Sequence, residues 1–214
     1  MTRAEVQQIT LRRDTADPLP VMESFYTIQG EGTWTGTAAY FVRLAGCDVG
    51  CFWCDVKESW APSEDQYQTS EEIVREAKAS GAKRVVITGG EPTIYDLTVL
   101  TDALHRAGLI VHIETAGPYP LRGDIDWVCL SPKKFLVPRA DLYERVNELK
   151  VIIYNDDDFR WAEEHAALCP PHTQLFLQPE WSRRERNYPK VLDYVMAHPH
   201  WRLSMQTHKY LDIR

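Results

Sequence analysis

Residues 46–55 read GCDVGCFWCD, and this stretch places three of the chain's five cysteines, Cys47, Cys51 and Cys54, within eight residues. The spacing C-x3-C-x2-C brings three thiols onto one short loop. A structural zinc ion almost always has four protein ligands, but no cysteine or histidine follows Cys54 until His105. A cubane iron–sulfur cluster normally takes four thiolates, so three on one loop leave one iron open to a reacting molecule. The spacing therefore favours such a cluster, with a zinc site as the alternative.

The length and composition predict a single domain. The chain has 214 residues, 44% of them hydrophobic, which is enough for one sizeable core. We expect residues 1–214 to form this domain, with residues 1–20 as a peripheral N-terminal segment. The net charge of −7 argues against a nucleic acid partner. No apolar run reaches the length of a signal peptide or a membrane span, which predicts a cytoplasmic location and no membrane partner.

Short apolar runs rich in β-formers alternate with helical patterns along the chain. Candidate strands occupy residues 38–44, 84–88, 109–114, 127–130, 148–153, 174–178 and 202–205. Candidate helices occupy residues 70–79, 97–107, 157–168 and 190–197. This alternation predicts an α/β fold with a mostly parallel sheet covered by helices. Because the chain is shorter than the roughly 250 residues of a full eight-stranded barrel, we expect an open, partial TIM-like barrel of about six parallel strands with the helices outside.

The stretches that look functional follow predicted strands directly. The cysteine loop comes after the first strand, and three further motifs, GGEP, ETAG and SPKK, lie at the ends of the next three (residues 89–92, 114–117 and 131–134). Ligands bind at the carboxyl ends of the strands in parallel sheets and barrels. We therefore expect one site at that edge. The isolated Cys129 and Cys169 are predicted to be buried apolar side chains.

The cysteine spacing, with the aromatic Trp53 just before the last cysteine, resembles the radical S-adenosylmethionine (SAM) superfamily, as does GGEP on the same partial barrel. This resemblance implies a [4Fe-4S] cluster on Cys47, Cys51 and Cys54 and a radical SAM core fold. It also implies that SAM binds the open iron and is cleaved reductively, giving a radical that abstracts hydrogen from the substrate.

Four longer stretches are similar to one family within that superfamily, the 7-carboxy-7-deazaguanine synthases: FYTIQGEG, FVRLAGC, LQPE and QTHKYLDIR (residues 25–32, 41–47, 177–180 and 206–214). The resemblance implies a small-molecule pterin substrate, 6-carboxy-5,6,7,8-tetrahydropterin, whose ring contracts with loss of ammonia on the route to queuosine and other 7-deazapurines. It further implies that SAM is re-formed, that Mg²⁺ is required, that a flavodoxin- or ferredoxin-type protein supplies the electron, and that the enzyme is a homodimer.

The same resemblance implies two sets of binding residues and no catalytic side chain, because the cluster and SAM carry the chemistry. The substrate set is Ile28, Gln29, Gly30, Arg43, Thr88, His208 and Arg214. The SAM set is Gly90, Glu91, Glu114, Ser131, Pro132, Lys133, Gln178, Pro179, Glu180 and Trp181. Arg43 is expected to hold the substrate carboxylate, with a structural ion pair as its alternative role. Glu114 could equally be a structural carboxylate, and Lys133 a solvated lysine.

One position departs from the family. Two residues after the last cysteine, where the family commonly has a Thr or Ser hydroxyl that binds Mg²⁺, this chain has Val56. Magnesium prefers hard oxygen ligands in near-octahedral geometry, and valine offers none. Either Asp55, water and the substrate carboxylate bind the ion, or the metal requirement is altered.

Two other functions fit parts of the pattern. An activating enzyme that installs a glycyl radical in a partner protein would share the cysteine triad but leave YTIQGEG and THKYLDIR unexplained. A structural zinc-binding module is the non-enzymatic alternative. The run RRER (residues 183–186) is predicted to be a solvated face, with a docking patch for a reductase as its alternative.

Overall fold

The computed structural model describes residues 17–214, in which strands and helices alternate. The strands, in chain order, are β1 (Leu19–Ile28), β2 (Ala38–Leu44), β3 (Tyr67–Gln68), β4 (Arg84–Gly89), β5 (Ile110–Thr115), β6 (Trp127–Leu130), β7 (Glu148–Ile153), β8 (Gln174–Pro179) and β9 (Trp201–Leu203). The α-helices are α1 (Ser70–Ala79), α2 (Thr98–Arg106), α3 (Asp157–Ala166), α4 (Arg184–Ala197) and α5 (Thr207–Leu211). Not one of these helices has the length and apolar character needed to cross a membrane.

Within the described range the strands form one open sheet in the order β3-β1-β2-β4-β5-β6-β7-β8-β9. Every neighbouring pair from β2–β4 to β8–β9 is parallel, whereas β1 is antiparallel to both β2 and β3. The sheet has β3 and β9 as its edges and does not close into a full barrel. The predicted α/β partial barrel is therefore confirmed, with seven parallel strands rather than about six.

The core lies between the outer face of the sheet and the helices. Val85 and Ile87 of β4 alternate along the strand, and both are fully buried. They belong to one hydrophobic cluster with Ile73 of α1 and Leu104 of α2. Because successive side chains of a strand point to opposite faces, the residues between these apolar positions face the inside of the partial barrel, where the polar groups of the site are found.

The predicted helix boundaries agree best with the observed ones where a local sequence signal is strong. Helix α1 begins and ends as predicted, because Thr69 caps it by accepting a hydrogen bond from the Glu72 backbone amide. Helix α4, by contrast, was predicted to start at residue 190 but begins at Arg184, with Pro189 inside it. The turn before the proline is held by a tertiary contact, in which the Asn187 side-chain amide donates to the Ile153 carbonyl at 2.9 Å.

Three elements were not predicted: β1, the short β3 and the C-terminal α5. Strand β1 is only partly buried over most of its length, so it lacks the apolar run that identified the other strands. It is held by its pairing with β2, in which Phe25 lies opposite Phe41. Residues 19 and 20 belong to this strand rather than to a peripheral segment, while residues 1–16 lie outside the described range. That the whole chain forms one domain stays a prediction.

Of the two isolated cysteines, Cys129 is buried as predicted, whereas Cys169 is only partly buried, and both are free thiols.

The buried face of α2 gives a test of the core. Leu104 is fully buried, whereas Val99 on the same helix is 43% exposed. We expect Leu104→Ala to lower the free energy of unfolding by about 2–5 kcal/mol, because it removes packed side-chain volume. The matched change Val99→Ala should stay within about 0.5 kcal/mol. Urea unfolding measures both, and similar losses for the two variants would contradict the assigned packing of α2.

Candidate active site

The cysteine loop follows β2 and lies at the carboxyl ends of the parallel strands. Cys47 and Cys51 are buried, Cys54 is partly buried, and all three are free thiols that line one cavity. Burial raises the pKa of Cys47 to about 12 and that of Cys51 to about 11. Since metals bind the thiolate form, the loop needs a strong positive centre to deprotonate these side chains.

The arrangement of the thiols fits a cluster better than a single ion. Among residues 17–214, no three His, Cys, Asp or Glu side chains are placed so that they could hold one metal ion. A mononuclear zinc site requires its ligands to share one coordination shell, whereas the thiolates of a cubane cluster bind different irons. The three free thiols that line one cavity would hold a [4Fe-4S] cluster, and with three protein thiolates one iron would have no cysteine ligand.

The GGEP loop packs directly against the cysteine loop. The Gly90 amide donates to the Leu44 carbonyl at 2.9 Å, and the Glu91 amide donates to the Gly46 carbonyl at 2.8 Å. A Cβ atom at Gly90 would lie 2.3 Å from that Gly46 carbonyl oxygen, so only glycine permits this approach. The backbone of the loop is thereby presented to the cavity beside the cluster ligands.

Glu91 holds the loops after β4 and β5 together. Its carboxylate accepts hydrogen bonds from the Thr93 amide at 3.0 Å, the Thr93 hydroxyl at 2.6 Å and the Ala116 amide at 2.8 Å, and also from the Thr115 hydroxyl. Burial raises the pKa of Glu91, while these donors oppose the shift. The side chain expected to contact SAM is thus occupied within the protein, and it positions the backbone around it.

Nine of the ten residues expected to bind SAM line the same cavity as the cysteines, and Pro132 does not. Lys133 is bound rather than solvated, because its ammonium donates to the carbonyl and hydroxyl of Ser131, both at 2.6 Å. Glu180 accepts from the Ser182 amide at 2.9 Å and from the Ser182 hydroxyl at 2.6 Å, which fixes the turn after β8.

A second cavity adjoins the first and contains the whole substrate set. The two cavities share Glu31, Asp55, Thr88, Glu114 and Gln206, and the second is lined by all seven residues expected to bind substrate. Phe25 and Phe41 form one wall, with their rings stacked at a centroid distance of 5.4 Å and an interplanar angle of 5°. A flat apolar wall next to charged side chains suits a planar, anionic heterocycle.

Comparisons with known proteins agree with this geometry. The model of the radical SAM superfamily matches residues 42–131. The chain is 54% identical over 207 residues to the 7-carboxy-7-deazaguanine synthase of Flavobacterium psychrophilum, covering 97% of this chain and 98% of that protein. It is 49% identical over 195 residues to the enzyme of the same name from Synechocystis sp., covering 91% and 93%. The chain belongs to the 7-carboxy-7-deazaguanine synthase family.

The crystal structure of QueE from Escherichia coli has the same fold, with a TM-score of 0.80, 34% identity, and coverage of 92% of this chain and 97% of that one. As a radical SAM enzyme, the chain uses a [4Fe-4S] cluster and SAM. A zinc module and a glycyl-radical activating enzyme, the two alternatives from the sequence, are not favoured.

In this member of the family, the C-terminal helix closes one side of the second cavity. The amide and hydroxyl of Thr207 donate to the Gly30 carbonyl at 2.9 and 3.0 Å. His208 packs so closely on Gly30 that a Cβ there would lie 2.2 Å from its Nδ1 atom. Burial lowers the pKa of His208. The main-chain oxygen of Arg214 accepts from the Thr27 hydroxyl at 2.9 Å, so the last residues lie along β1.

Arg43 forms the ion pair considered for it from the sequence and also lines the second cavity, while its substrate contact stays a prediction. Its Nε atom donates to Glu23 at 2.8 Å, and its side chain is 20% exposed on the wall of the second cavity. Because Glu23 accepts only from Nε, the two terminal nitrogens of Arg43 form no hydrogen bond within residues 17–214, and their donors are available to a ligand.

The residue that sequence reasoning missed is Lys150 of β7. Its buried ammonium donates to Glu31 at 2.5 Å and to Glu114 at 2.8 Å, at the boundary between the two cavities. The side-chain amide of Gln29 donates to the other oxygen of Glu114, and that of Gln206 to the other oxygen of Glu31, both at 2.8 Å. A lysine inside the apolar strand ELKVII was the available signal.

This network sets the charge of Glu114. Burial alone would raise the pKa of Glu114, but the Lys150 ammonium outweighs it and lowers the pKa to about 2. The carboxylate is therefore charged at neutral pH and poised as a hydrogen-bond acceptor at the edge of the SAM cavity.

Removing the cation should expose the dependence of the site on Lys150. Lys150→Met leaves the partly buried Glu31 and Glu114 without a positive charge, and breaking a buried ion pair costs about 3–5 kcal/mol of unfolding free energy. We expect a loss of that order near pH 7. Lys150→Arg keeps the charge and should cost less.

The sign of the pH dependence follows from Glu114. Its pKa in the folded protein, about 2, lies below the ordinary value of 4.5. The stabilisation that the charged Glu114 gives to the folded protein is thus complete above about pH 4.5 and is lost as the pH falls toward 2. In Lys150→Met the Glu114 carboxylate loses the charge that lowers its pKa and takes up a proton more readily when folded, so the difference in unfolding free energy between wild type and variant should shrink as the pH falls from about 7 to about 4. Urea unfolding at each pH measures this difference in unfolding free energy, and a difference that stays constant with pH would contradict the assigned role of Lys150.

Proposed function

We propose that this chain converts 6-carboxy-5,6,7,8-tetrahydropterin to 7-carboxy-7-deazaguanine with loss of ammonia, in the biosynthesis of queuosine or another 7-deazapurine. The observation that carries the proposal is the pair of adjoining cavities. One contains the three cluster cysteines, and the other contains an aromatic wall and an arginine with free donors.

The first cavity is the SAM site. Cys47, Cys51 and Cys54 hold the cluster, and when bound, the cluster and SAM supply the radical that abstracts hydrogen from the substrate. The Gly90 backbone offers a close, side-chain-free surface beside the cluster. The charged carboxylate of Glu114 accepts a hydrogen bond from a ribose hydroxyl, a role for which its low pKa suits it. The segments around Ser131 and Gln178 form the remaining walls.

The second cavity is the pterin site. The ring stacks beside the Phe25–Phe41 wall, while the terminal nitrogens of Arg43 bind the substrate carboxylate in a bidentate manner. Thr88 lies on both cavities, so it contacts substrate where SAM and pterin meet. The neutral His208 closes the site from α5, and Ile28, Gln29 and Gly30 present backbone to the ring.

The magnesium requirement of the family does not transfer to this donor set. Val56 offers no oxygen, and the carboxylate of Asp55 is paired with the Lys209 ammonium at 2.5 Å. We assign no step to a magnesium ion.

The electron comes from a flavodoxin- or ferredoxin-type protein that docks beside the cysteine loop. Phe52 lies between two cluster ligands and is 56% exposed, and its ring contacts Phe135 at 5.7 Å and Tyr154 at 5.1 Å. The Arg183 guanidinium, at the start of the basic run 183–186, stacks over Tyr154 at 3.9 Å. An exposed aromatic patch edged by positive charge suits an acidic electron carrier.

Family resemblance alone supports a homodimer and a cytoplasmic location, and the charge of the chain argues against a nucleic acid partner.

Anaerobic turnover with the carboxytetrahydropterin, SAM and dithionite, followed by mass spectrometry, tests the proposed function. We expect the deazaguanine product, with SAM unchanged in amount, and no product from a variant in which the three cluster cysteines are alanine. Methionine and 5′-deoxyadenosine released in step with product would contradict the catalytic use of SAM. Failure to form the deazaguanine product under any reducing condition would refute the proposal as a whole.

Arg43→Lys tests the carboxylate clamp. Lysine keeps the charge but loses the planar fork, so the apparent binding of substrate should weaken by about 2–5 kcal/mol, the usual cost of truncating a desolvated charged contact. Iron and sulfide content should stay at the wild-type level. Arg145 bonds two backbone carbonyls on the exposed surface, and Arg145→Lys is the matched control. Unchanged kinetics in Arg43→Lys would remove Arg43 from the site.

A further inference from the structure

We infer that the ammonium of Lys209 takes the place of the magnesium ion in this chain, so that the substrate carboxylate is bound without a metal. The inference rests on the proposed function for the identity of that carboxylate. Its basis is the set of charged groups around the second cavity, which differs from what a magnesium site requires.

The first observation is the loss of ligand oxygens. Asp55 and Val56 follow the cysteine loop and line the second cavity. Magnesium holds near-octahedral geometry with hard oxygen donors, of which the protein must supply at least one or two. Val56 supplies none, and Asp55 already has a cation bound to it.

That cation is positioned by the fold. Lys209 belongs to α5, which is anchored to β1 through the bonds from Thr207 to Gly30. Its ammonium lies 2.5 Å from the Asp55 carboxylate and 5.0 Å from the centre of the Trp181 ring, and the side chain is only 20% exposed. An ammonium has three donors. Asp55 accepts one, which leaves donors for a ligand in the cavity that Lys209 lines.

The remaining carboxylates of the cavity are also paired with cationic side chains. Glu23 pairs with Arg43, and both Glu31 and Glu114 pair with Lys150. Together with Asp55 and Lys209, these account for every carboxylate side chain that lines the second cavity. Every carboxylate side chain of the cavity is thus already paired with a cationic side chain of the protein, with Lys150 shared between Glu31 and Glu114, so a divalent ion would have to displace one of these pairs.

A fixed ammonium can perform the task that a metal would perform for the substrate. The negative charge of a bound carboxylate would be met by Lys209 on one side and by the terminal nitrogens of Arg43 on the other. Both side chains line the same cavity. The ammonium is a compact point charge, and no water ligands have to be ordered around it.

The test compares wild type with variants that remove the lysine or restore the metal ligand. Cluster-loaded protein is freed of divalent ions with a chelator and assayed with and without Mg²⁺. Wild-type turnover should change less than about twofold on adding Mg²⁺. Lys209→Gln should lower kcat/KM by about tenfold, mainly through KM, because one charged contact is lost. Lys209→Arg, which keeps the charge, should recover part of this loss. Lys190 also pairs with an aspartate on the surface, and Lys190→Gln is the control that should behave as wild type.

A binding measurement tests the same inference without turnover. Mn²⁺ serves as the probe, and electron paramagnetic resonance of the free ion reports its binding to the cluster-oxidised protein. We expect no saturable site in wild type, and a saturable site in the double variant Val56→Thr/Lys209→Gln. Saturable Mn²⁺ binding by wild type, Mg²⁺-dependent wild-type turnover, or unchanged KM in Lys209→Gln would each overturn the inference. Failure of every variant to form product would instead refute the proposed function, and the Mn²⁺ titration would still decide the role of Lys209.

Discussion

The buried ammonium of Lys150 is the constraint around which the site is arranged. A charged lysine inside the barrel is tolerable only if it is fully paired, and here its two carboxylate partners come from two distant parts of the chain. Glu114 ends β5, Glu31 follows β1, and Lys150 itself lies within β7. The two glutamines that bond the free oxygens of these carboxylates extend the network to the turn after β1 and to the segment before α5. One charge thus holds together the elements that separate the two cavities.

The rest of the site follows from the parallel sheet. Because the carboxyl ends of parallel strands meet at one edge, the loops after β2, β4, β5, β6 and β8 converge there without any long insertion. The contact between Gly90 and Gly46 shows how closely they converge, since even a methyl group would not fit. Such an edge offers backbone rather than bulky side chains next to the cluster. The antiparallel β1 and the short α5 then add a second compartment, which the parallel core alone would not enclose.

Family membership and individual chemistry are separable in this chain. The chain belongs to the family by its identity to two relatives over most of its length, and its fold agrees with that of a solved relative. Next to the cluster loop, this chain has Val56 where the family commonly has Thr or Ser. Lys209 of α5 pairs with the neighbouring Asp55. Cavities lined by many charged groups can exchange one source of positive charge for another while the surrounding fold stays the same.

The sequence by itself determined the features that depend on local patterns. The apolar runs predicted the parallel strands, the Thr69–Glu72 cap predicted α1 to the residue, and the cysteine spacing with GGEP predicted the cluster loop. These signals are local because a strand, a cap and a ligand loop are each specified by residues a few positions apart. The motifs also selected residues that line the two cavities.

Only the tertiary structure decided the features that join distant parts of the chain. Strand β1 is held by its pairing with β2. The start of α4 is held by a hydrogen bond from Asn187 to the end of β7. Lys150 is paired with carboxylates 36 and 119 residues away. The pair of Asp55 and Lys209 spans 154 residues. No periodicity or motif encodes which lysine meets which carboxylate, because that pairing depends on where folding places charges that are far apart in the chain and must be neutralised once they are removed from water.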